Sequence, residues 1–149
     1  MVRQADSLLK AEAYQLSRDH WKEIVSLTNQ NKVEYHTYRS KLLYCEASLF
    51  QAHGNYKSAI EKYQNALQLI DRDTASKDNQ YRLNIYNGLY HSLAYSGDWQ
   101  AALEKGTEGL TLMDSTIDKK SRADYVYDLG YINAVSYTHL RAHETDSYL

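Results

Sequence analysis

The chain has 149 residues, a single cysteine, Cys45, and 17 lysine and arginine residues against 19 aspartate and glutamate residues, for a formal net charge of −2. This length allows one domain that folds around its own core, and a lone cysteine excludes an internal disulfide. The sequence has no basic stripe of the kind that binds nucleic acid and no apolar run near the roughly 20 residues that span a membrane, so neither partner is expected.

The spacing of apolar residues predicts an all-α fold. Proline is absent, and apolar residues recur at intervals of three and four between short turn signals. The clearest amphipathic face lies in the fourth of seven predicted helices. The predicted helices are 4–17, 20–31, 33–52, 56–71, 77–96, 99–114 and 121–134.

Two turns between these helices have the same design. In "HGNY" and "SGDW", Gly54 and Gly97 can adopt the left-handed conformation that ends a helix, and Asn55 and Asp98 can cap the helix that follows. Each turn predicts a tight antiparallel hairpin. A third signal, "SRAD" at 121–124, fits a capping box that opens the last helix.

The two hairpins are copies of each other. "GNYKSAIEKYQNAL" from Gly54 aligns with "GDWQAALEKGTEGL" from Gly97 at a displacement of 43 residues, and a weaker copy, "RDHWKEIVSL", starts at Arg18. The pattern resembles the tetratricopeptide repeat family, whose unit is a pair of antiparallel helices. The copy at 40–73 carries most of the family's motif positions, namely Leu43, Ala47, Phe50, Gly54, Tyr56, Ala59, Tyr63 and Ala66.

The resemblance implies an α-solenoid of antiparallel helix-hairpin repeats, with about three repeats and the first helix of a fourth. Gly106 and Gly109 stand where the family has an aromatic residue and an alanine, so we expect looser packing there. The half repeat is expected to expose Val126, Leu129 and Ile132, and so to leave the domain only marginally stable.

The resemblance also implies a binding surface, because the first helix of each repeat lines a concave groove in the family. The matching positions are Lys41, Tyr44, Ser48, Asn84, Asn87, His91, Tyr127 and Tyr131. They predict a scaffold that binds a protein or peptide, forms the sensory or regulatory part of a longer signalling protein, and uses no cofactor and no catalysis of its own. One alternative is an accessory region of an enzyme, such as a histidine kinase, whose catalytic domain is missing; another is that these side chains are merely solvated.

The final stretch, "VSYTHLRAHETDSYL" at 135–149, resembles a translated sequencing-library adapter. In one reading frame the DNA of such an adapter encodes "VSYTHLRAHET", identical to residues 135–145. We therefore expect a truncated repeat domain at 1–134 followed by a non-native tail. The tail places His139 and His143 four residues apart, as zinc ligands on a helix would be, but the adapter origin argues against a metal site.

Other reactive side chains have simpler explanations. Cys45 and His91 could form a nucleophile and base if folding joined them, although a small residue on a packed helix explains Cys45 better. Asp71 and Asp73 could share a cation, but a solvated helix end is favoured, since no calcium-loop glycine follows. The chain is therefore expected to be soluble and not an enzyme, with the compartment, cytoplasm or periplasm, left open.

Overall fold

A computed structural model describes residues 1–73 and 77–147, and within them the chain forms seven α-helices. The helices are α1 (Val2–Lys10), α2 (Tyr14–Leu27), α3 (Glu34–Ala52), α4 (Tyr56–Arg72), α5 (Asn79–Tyr95), α6 (Trp99–Leu110) and α7 (Lys119–Ser147). The predicted all-α class is confirmed. None of the described helices is both long and apolar enough to cross a membrane.

Each helix packs against the next, and α3 also contacts α5. Ser40 Oγ donates to the carbonyl oxygen of Ala66 at 2.7 Å, and Ser48 Oγ lies 3.1 Å from Tyr63 Oη. Because the later residue of α3 pairs with the earlier residue of α4, these two helices are antiparallel. Ser40 Oγ also lies 3.0 Å from Tyr81 Oη on α5, which joins two odd-numbered helices side by side.

Both predicted hairpin turns are confirmed. Gly54 and Gly97 have φ angles of 76° and 92°, which residues with a Cβ rarely adopt. The side chains of Asn55 and Asp98 each accept the backbone N–H three residues further on, at 3.3 and 3.1 Å. These local bonds satisfy amides that the first helical turn leaves unpaired.

The prediction of one helix over 4–17 is wrong, because the chain turns at 11–13, where Glu12 has a φ of 57°. Neither glycine nor proline marks this turn. A buried contact accompanies it instead: Ser17 Oγ on α2 donates to the carbonyl oxygen of Ala5 on α1 at 3.0 Å. The second helix consequently begins well before its predicted start, and the contact that fixes it is not local in sequence.

The last helix begins earlier than the predicted capping box at 121–124. Asp118 precedes α7, and its carboxylate accepts the backbone N–H of Ser121 at 2.8 Å and the Ser121 hydroxyl at 2.7 Å. These bonds hold the pKa of Asp118 below its usual range. Ser121 is thus a donor within the first turn, and the cap is Asp118.

The expected loose packing at the α6 glycines is also wrong. A Cβ on Gly106 would lie 2.3 Å from Leu129 Cδ1, and a Cβ on Gly109 would lie 2.0 Å from Tyr125 Oη. Tyr125 Oη donates to the carbonyl oxygen of Gly106 at 2.8 Å. The glycines therefore give room for α7 side chains to pack directly on the α6 backbone.

This packing changes the expected exposure of α7. Leu129 and Ile132 are only 8% and 4% exposed, whereas Val126 is 52% exposed. The prediction of three exposed apolar residues is wrong for Leu129, which packs against Gly106 of α6, and for Ile132, which belongs to the same buried cluster; it is correct for Val126.

Candidate binding groove

The odd-numbered helices line a row of three cavities. The lysine pocket (Lys41, Tyr44, Asn84) has about 230 Å³, and the central pocket (Tyr44, Ser48, Asn84, Asn87, His91) has about 430 Å³. The aromatic pocket (His91, Tyr127, Tyr131) has about 320 Å³. Neighbouring pockets share lining residues, so the three form one continuous surface, which we call the odd-helix groove. All eight predicted groove residues line it; their role in binding stays a prediction.

The wall of the central pocket contains a network of uncharged hydroxyl and amide groups. Tyr63 Oη lies 3.1 Å from Ser48 Oγ and donates to Gln51 Oε1 at 2.8 Å. The Tyr44 ring meets the Tyr63 ring edge-on at 5.7 Å between centroids. Burial raises the pKa of both phenols, so they remain neutral at physiological pH. This wall can exchange hydrogen bonds with a ligand without attracting a particular charge.

Asn87 is the most unusual polar residue of the groove. Its Oδ1 is buried, and no hydrogen-bond donor among the described residues reaches it. Leaving a buried acceptor unpaired costs roughly 1–3 kcal/mol. Its neighbour Asn84 is exposed and accepts from Gln80 Nε2 at 3.2 Å. A ligand that brings an N–H donor to the central pocket would satisfy this acceptor once the Asn87 side chain turns its oxygen toward the pocket.

Lys41 lies at the groove but is already engaged. Its ammonium group pairs with Asp6 on α1 and lies 5.0 Å from the centroid of the Trp21 ring and 5.8 Å from that of Tyr81. The Lys41 side chain is only 14% exposed. Because its charge is balanced within the fold, Lys41 holds α1, α2, α3 and α5 together more than it offers a free cation to a ligand.

The aromatic pocket contains three residues that the sequence interpretation missed. Tyr95, Trp99 and Asp128 line it together with His91 and the two predicted tyrosines. The repeat pattern assigned Trp99 to hairpin packing and gave no role to the other two. Their one signal in the sequence is proximity: Tyr95 precedes the "SGDW" turn, Trp99 is its last residue, and Asp128 follows a predicted groove residue.

The structure does not bring Cys45 and His91 together as a catalytic pair. Cys45 is fully buried in a separate cluster, where its thiol donates to Ser17 Oγ at 3.5 Å. Burial raises the pKa of the Cys45 thiol to about 11. His91 instead faces Asp128 across the groove. The thiol is therefore protonated at neutral pH, as expected of a packed core residue.

The two aspartates of "DRD" make separate contacts. Asp73 is buried and accepts from the Thr37 hydroxyl, so the interpretation of this position as solvated is wrong. Asp71 is exposed and accepts from Arg82 Nε at 3.3 Å. Asp71 thus connects α4 to α5, and Asp73, which follows the last residue of α4, connects the end of that helix to α3.

The tail histidines lie on an exposed face of α7. The ring centroids of His139 and His143 are 5.3 Å apart. Over residues 1–73 and 77–147, no group of three histidine, cysteine or acidic side chains is arranged to hold a metal ion.

Comparisons with models of known protein families, with curated proteins and with solved structures found no match to this chain. The geometry of the odd-helix groove is therefore the main basis for a functional proposal.

Proposed function

We propose that this chain is a tetratricopeptide-repeat-like scaffold that binds an extended segment of a partner protein in the odd-helix groove. The observation that carries the proposal is the buried, unpaired Asn87 Oδ1 in the central pocket. A backbone N–H of a bound peptide would satisfy this acceptor once the Asn87 side chain turns its oxygen toward the pocket, and would remove the cost of leaving it unpaired.

The chemistry of the groove favours a peptide backbone over a charged small molecule. The central pocket offers Ser48, Gln51, Asn84 and Asn87 in addition to tyrosine phenols, and the lysine and glutamate that also line it, Lys10 and Glu12, carry opposite charges. An extended peptide presents N–H and C=O groups at regular intervals of about 3.3 Å per residue. Side-chain amides and hydroxyls can pair with both kinds of group, which suits recognition of the backbone along a groove.

The repeat resemblance supports a place for this scaffold in the sensory or regulatory segment of a longer signalling protein. In such a protein the groove selects a partner, and catalysis takes place on another domain.

We further propose that residues 135–149, which resemble an encoded adapter, take no part in binding. Burial along α7 ends at Ser136, and every side chain from Tyr137 to Asp146 is exposed. Residues 137–146 therefore extend from the helical domain without adding to the groove.

Selection of random peptides on the immobilised full chain tests the scaffold proposal. Selected peptides are then titrated against Asn87→Ala and against Asn65→Ala, a matched change at an exposed position of α4. We expect Asn87→Ala to weaken binding about tenfold, since a hydrogen bond that the ligand makes in a buried site is lost. Asn65→Ala should bind as the unmodified chain does.

Equal affinities for the unmodified chain and Asn87→Ala, across all selected peptides, would show that the central pocket is not the binding surface and would overturn the proposal. Circular dichroism of the variants ensures that a loss of affinity is not a loss of folding.

A further inference from the structure

The aromatic pocket is built from residues of three helices. Tyr95 and His91 come from α5, Trp99 opens α6, and α7 contributes Tyr127, Asp128 and Tyr131. The three tyrosines are 62%, 76% and 66% exposed. So much exposed aromatic surface around one cavity of about 320 Å³ costs solvation free energy unless a ligand covers it.

Two hydrogen-bond acceptors lie side by side in this pocket. His91 Nδ1 is 2.8 Å from the carbonyl oxygen of Asn87, and only a protonated Nδ1 can donate to that oxygen. In the neutral ring Nε2 is then an acceptor, and it lies 3.5 Å from Asp128 Oδ2. In this neutral tautomer neither atom of the pair can donate to the other, so a ligand with two N–H groups would satisfy both; a protonated ring would instead donate its Nε2–H to Asp128.

The charge of the pocket is also one-sided. Asp128 brings a carboxylate that is 40% exposed, and no lysine or arginine occurs among the described residues that line the cavity. The faces of tyrosine and tryptophan rings carry negative electrostatic potential and attract cations. The carboxylate and the ring faces therefore both favour a positively charged ligand.

We propose that the aromatic pocket binds an arginine side chain of the partner peptide. This inference rests on the proposed scaffold function and names the residue that one end of the groove selects. A guanidinium group is planar, stacks on aromatic faces and presents several N–H donors in a fixed fork. It can donate to Asp128 and His91 together while its plane lies against a tyrosine ring.

The shape of the acceptor pair favours arginine over lysine. An ammonium group is a compact, strongly hydrated point charge that does not stack on a ring. Two adjacent acceptors with flat ring surfaces beside them match a planar fork better than a single rotating donor group.

The two tryptophans give a direct spectroscopic test on the full chain. The chain contains Trp99 in the aromatic pocket and Trp21 in the separate buried cluster that also contains Cys45. Titration with N-acetylarginine amide at millimolar concentration should shift the indole N–H resonance of Trp99 and leave that of Trp21 in place. N-acetylcitrulline amide, which has nearly the same shape without the charge, should cause no shift.

Substitutions on α7 provide the matched controls. Asp128→Asn should weaken arginine binding at least about tenfold, because a charge-assisted bond is lost. Asp124→Asn, one turn earlier and exposed, should leave it unchanged. Tyr131→Leu keeps an apolar side chain at an exposed position and should weaken binding through loss of the ring face.

Three results would overturn the inference: no Trp99 shift with the arginine probe, an equal shift with the citrulline probe, or tighter binding of N-acetyllysine amide than of the arginine compound. The scaffold proposal is tested separately. If the selected peptides lack arginine but still depend on Asn87 for binding, the scaffold proposal is supported and the proposal of an arginine site is refuted.

Discussion

Gly88 on α5 should not tolerate even one added methyl group. An alanine Cβ there would lie 2.3 Å from Tyr63 Cζ and 2.6 Å from both Cε1 and Oη of the same ring. Tyr63 is 2% exposed and is held by its contacts with Ser48 and Gln51. The ring is rigid, so it must be displaced as a unit and must lose those two hydrogen bonds.

The magnitude follows from three effects. Overpacking a core costs roughly 1–3 kcal/mol, and each lost hydrogen bond adds about 1 kcal/mol. Alanine regains about 1 kcal/mol over glycine in a helix interior. We expect Gly88→Ala to lower the free energy of unfolding by roughly 2–4 kcal/mol, and the midpoint of thermal unfolding by about 5–15 °C for a chain of this size.

Urea unfolding followed by circular dichroism measures this change, and Gly130→Ala is the matched control. Gly130 lies within α7, and a Cβ there would meet no atom within 4 Å. With no contact to offset the gain in helix propensity, Gly130→Ala should raise the free energy of unfolding by about 0.5–1 kcal/mol.

A second background isolates the contact between the methyl group and the ring. Leucine at position 63 lacks the Cζ and Oη atoms that the new Cβ would meet, so Gly88→Ala combined with Tyr63→Leu should lose most of its penalty. If Gly88→Ala is as stable as Gly130→Ala, or if its penalty persists in the Tyr63→Leu background, the close approach of α4 to α5 is not its cause.

Three further predictions concern local bonds, burial and the tail. Asp98→Ala should lower the free energy of unfolding by about 1 kcal/mol in urea titrations through loss of the α6 cap; a change below about 0.3 kcal/mol would contradict this role. Cys45 should resist thiol reagents at neutral pH until the chain unfolds, and fast labelling of the native chain would contradict its burial. Folding raises the pKa of the Cys45 thiol from 9.0 to about 11. The contribution of this thiol to stability is therefore complete below pH 9.0 and declines as the pH rises toward about 11. Between these pH values the free energy of unfolding of the Cys45→Ala variant should fall less steeply than that of the unmodified chain. Removal of residues 137–149 should leave the urea midpoint unchanged, because the side chains of 137–146 are exposed; a clear loss of stability would give the tail a structural role.

The helical class and the two hairpin turns could be predicted because their causes are local. An apolar period near 3.6 residues, a glycine at positive φ and a capping side chain act within a few positions of one another. Asn55 and Asp98 make the predicted bonds for this reason. The eight groove positions come instead from the resemblance to the repeat family, and their role in binding stays a prediction.

Other features depend on partners far away in the sequence. Ser17 meets Ala5 across an unmarked turn, and Leu129 fills the space above Gly106. From the sequence alone, a glycine within a helix predicts weak packing. Only the structure shows that a side chain from another helix occupies the space that a Cβ would fill. The α6 glycines, which predicted loose packing, therefore allow close packing instead.

By itself the sequence determined an all-helical chain and the two glycine-containing hairpin turns. Only the tertiary structure decided that Lys41 is neutralised by Asp6 and that Asp128 and Trp99 join His91 in one pocket. The physical reason is that helix formation is governed by bonds between near neighbours, whereas the charge and shape of a pocket are sums over side chains that folding alone brings together.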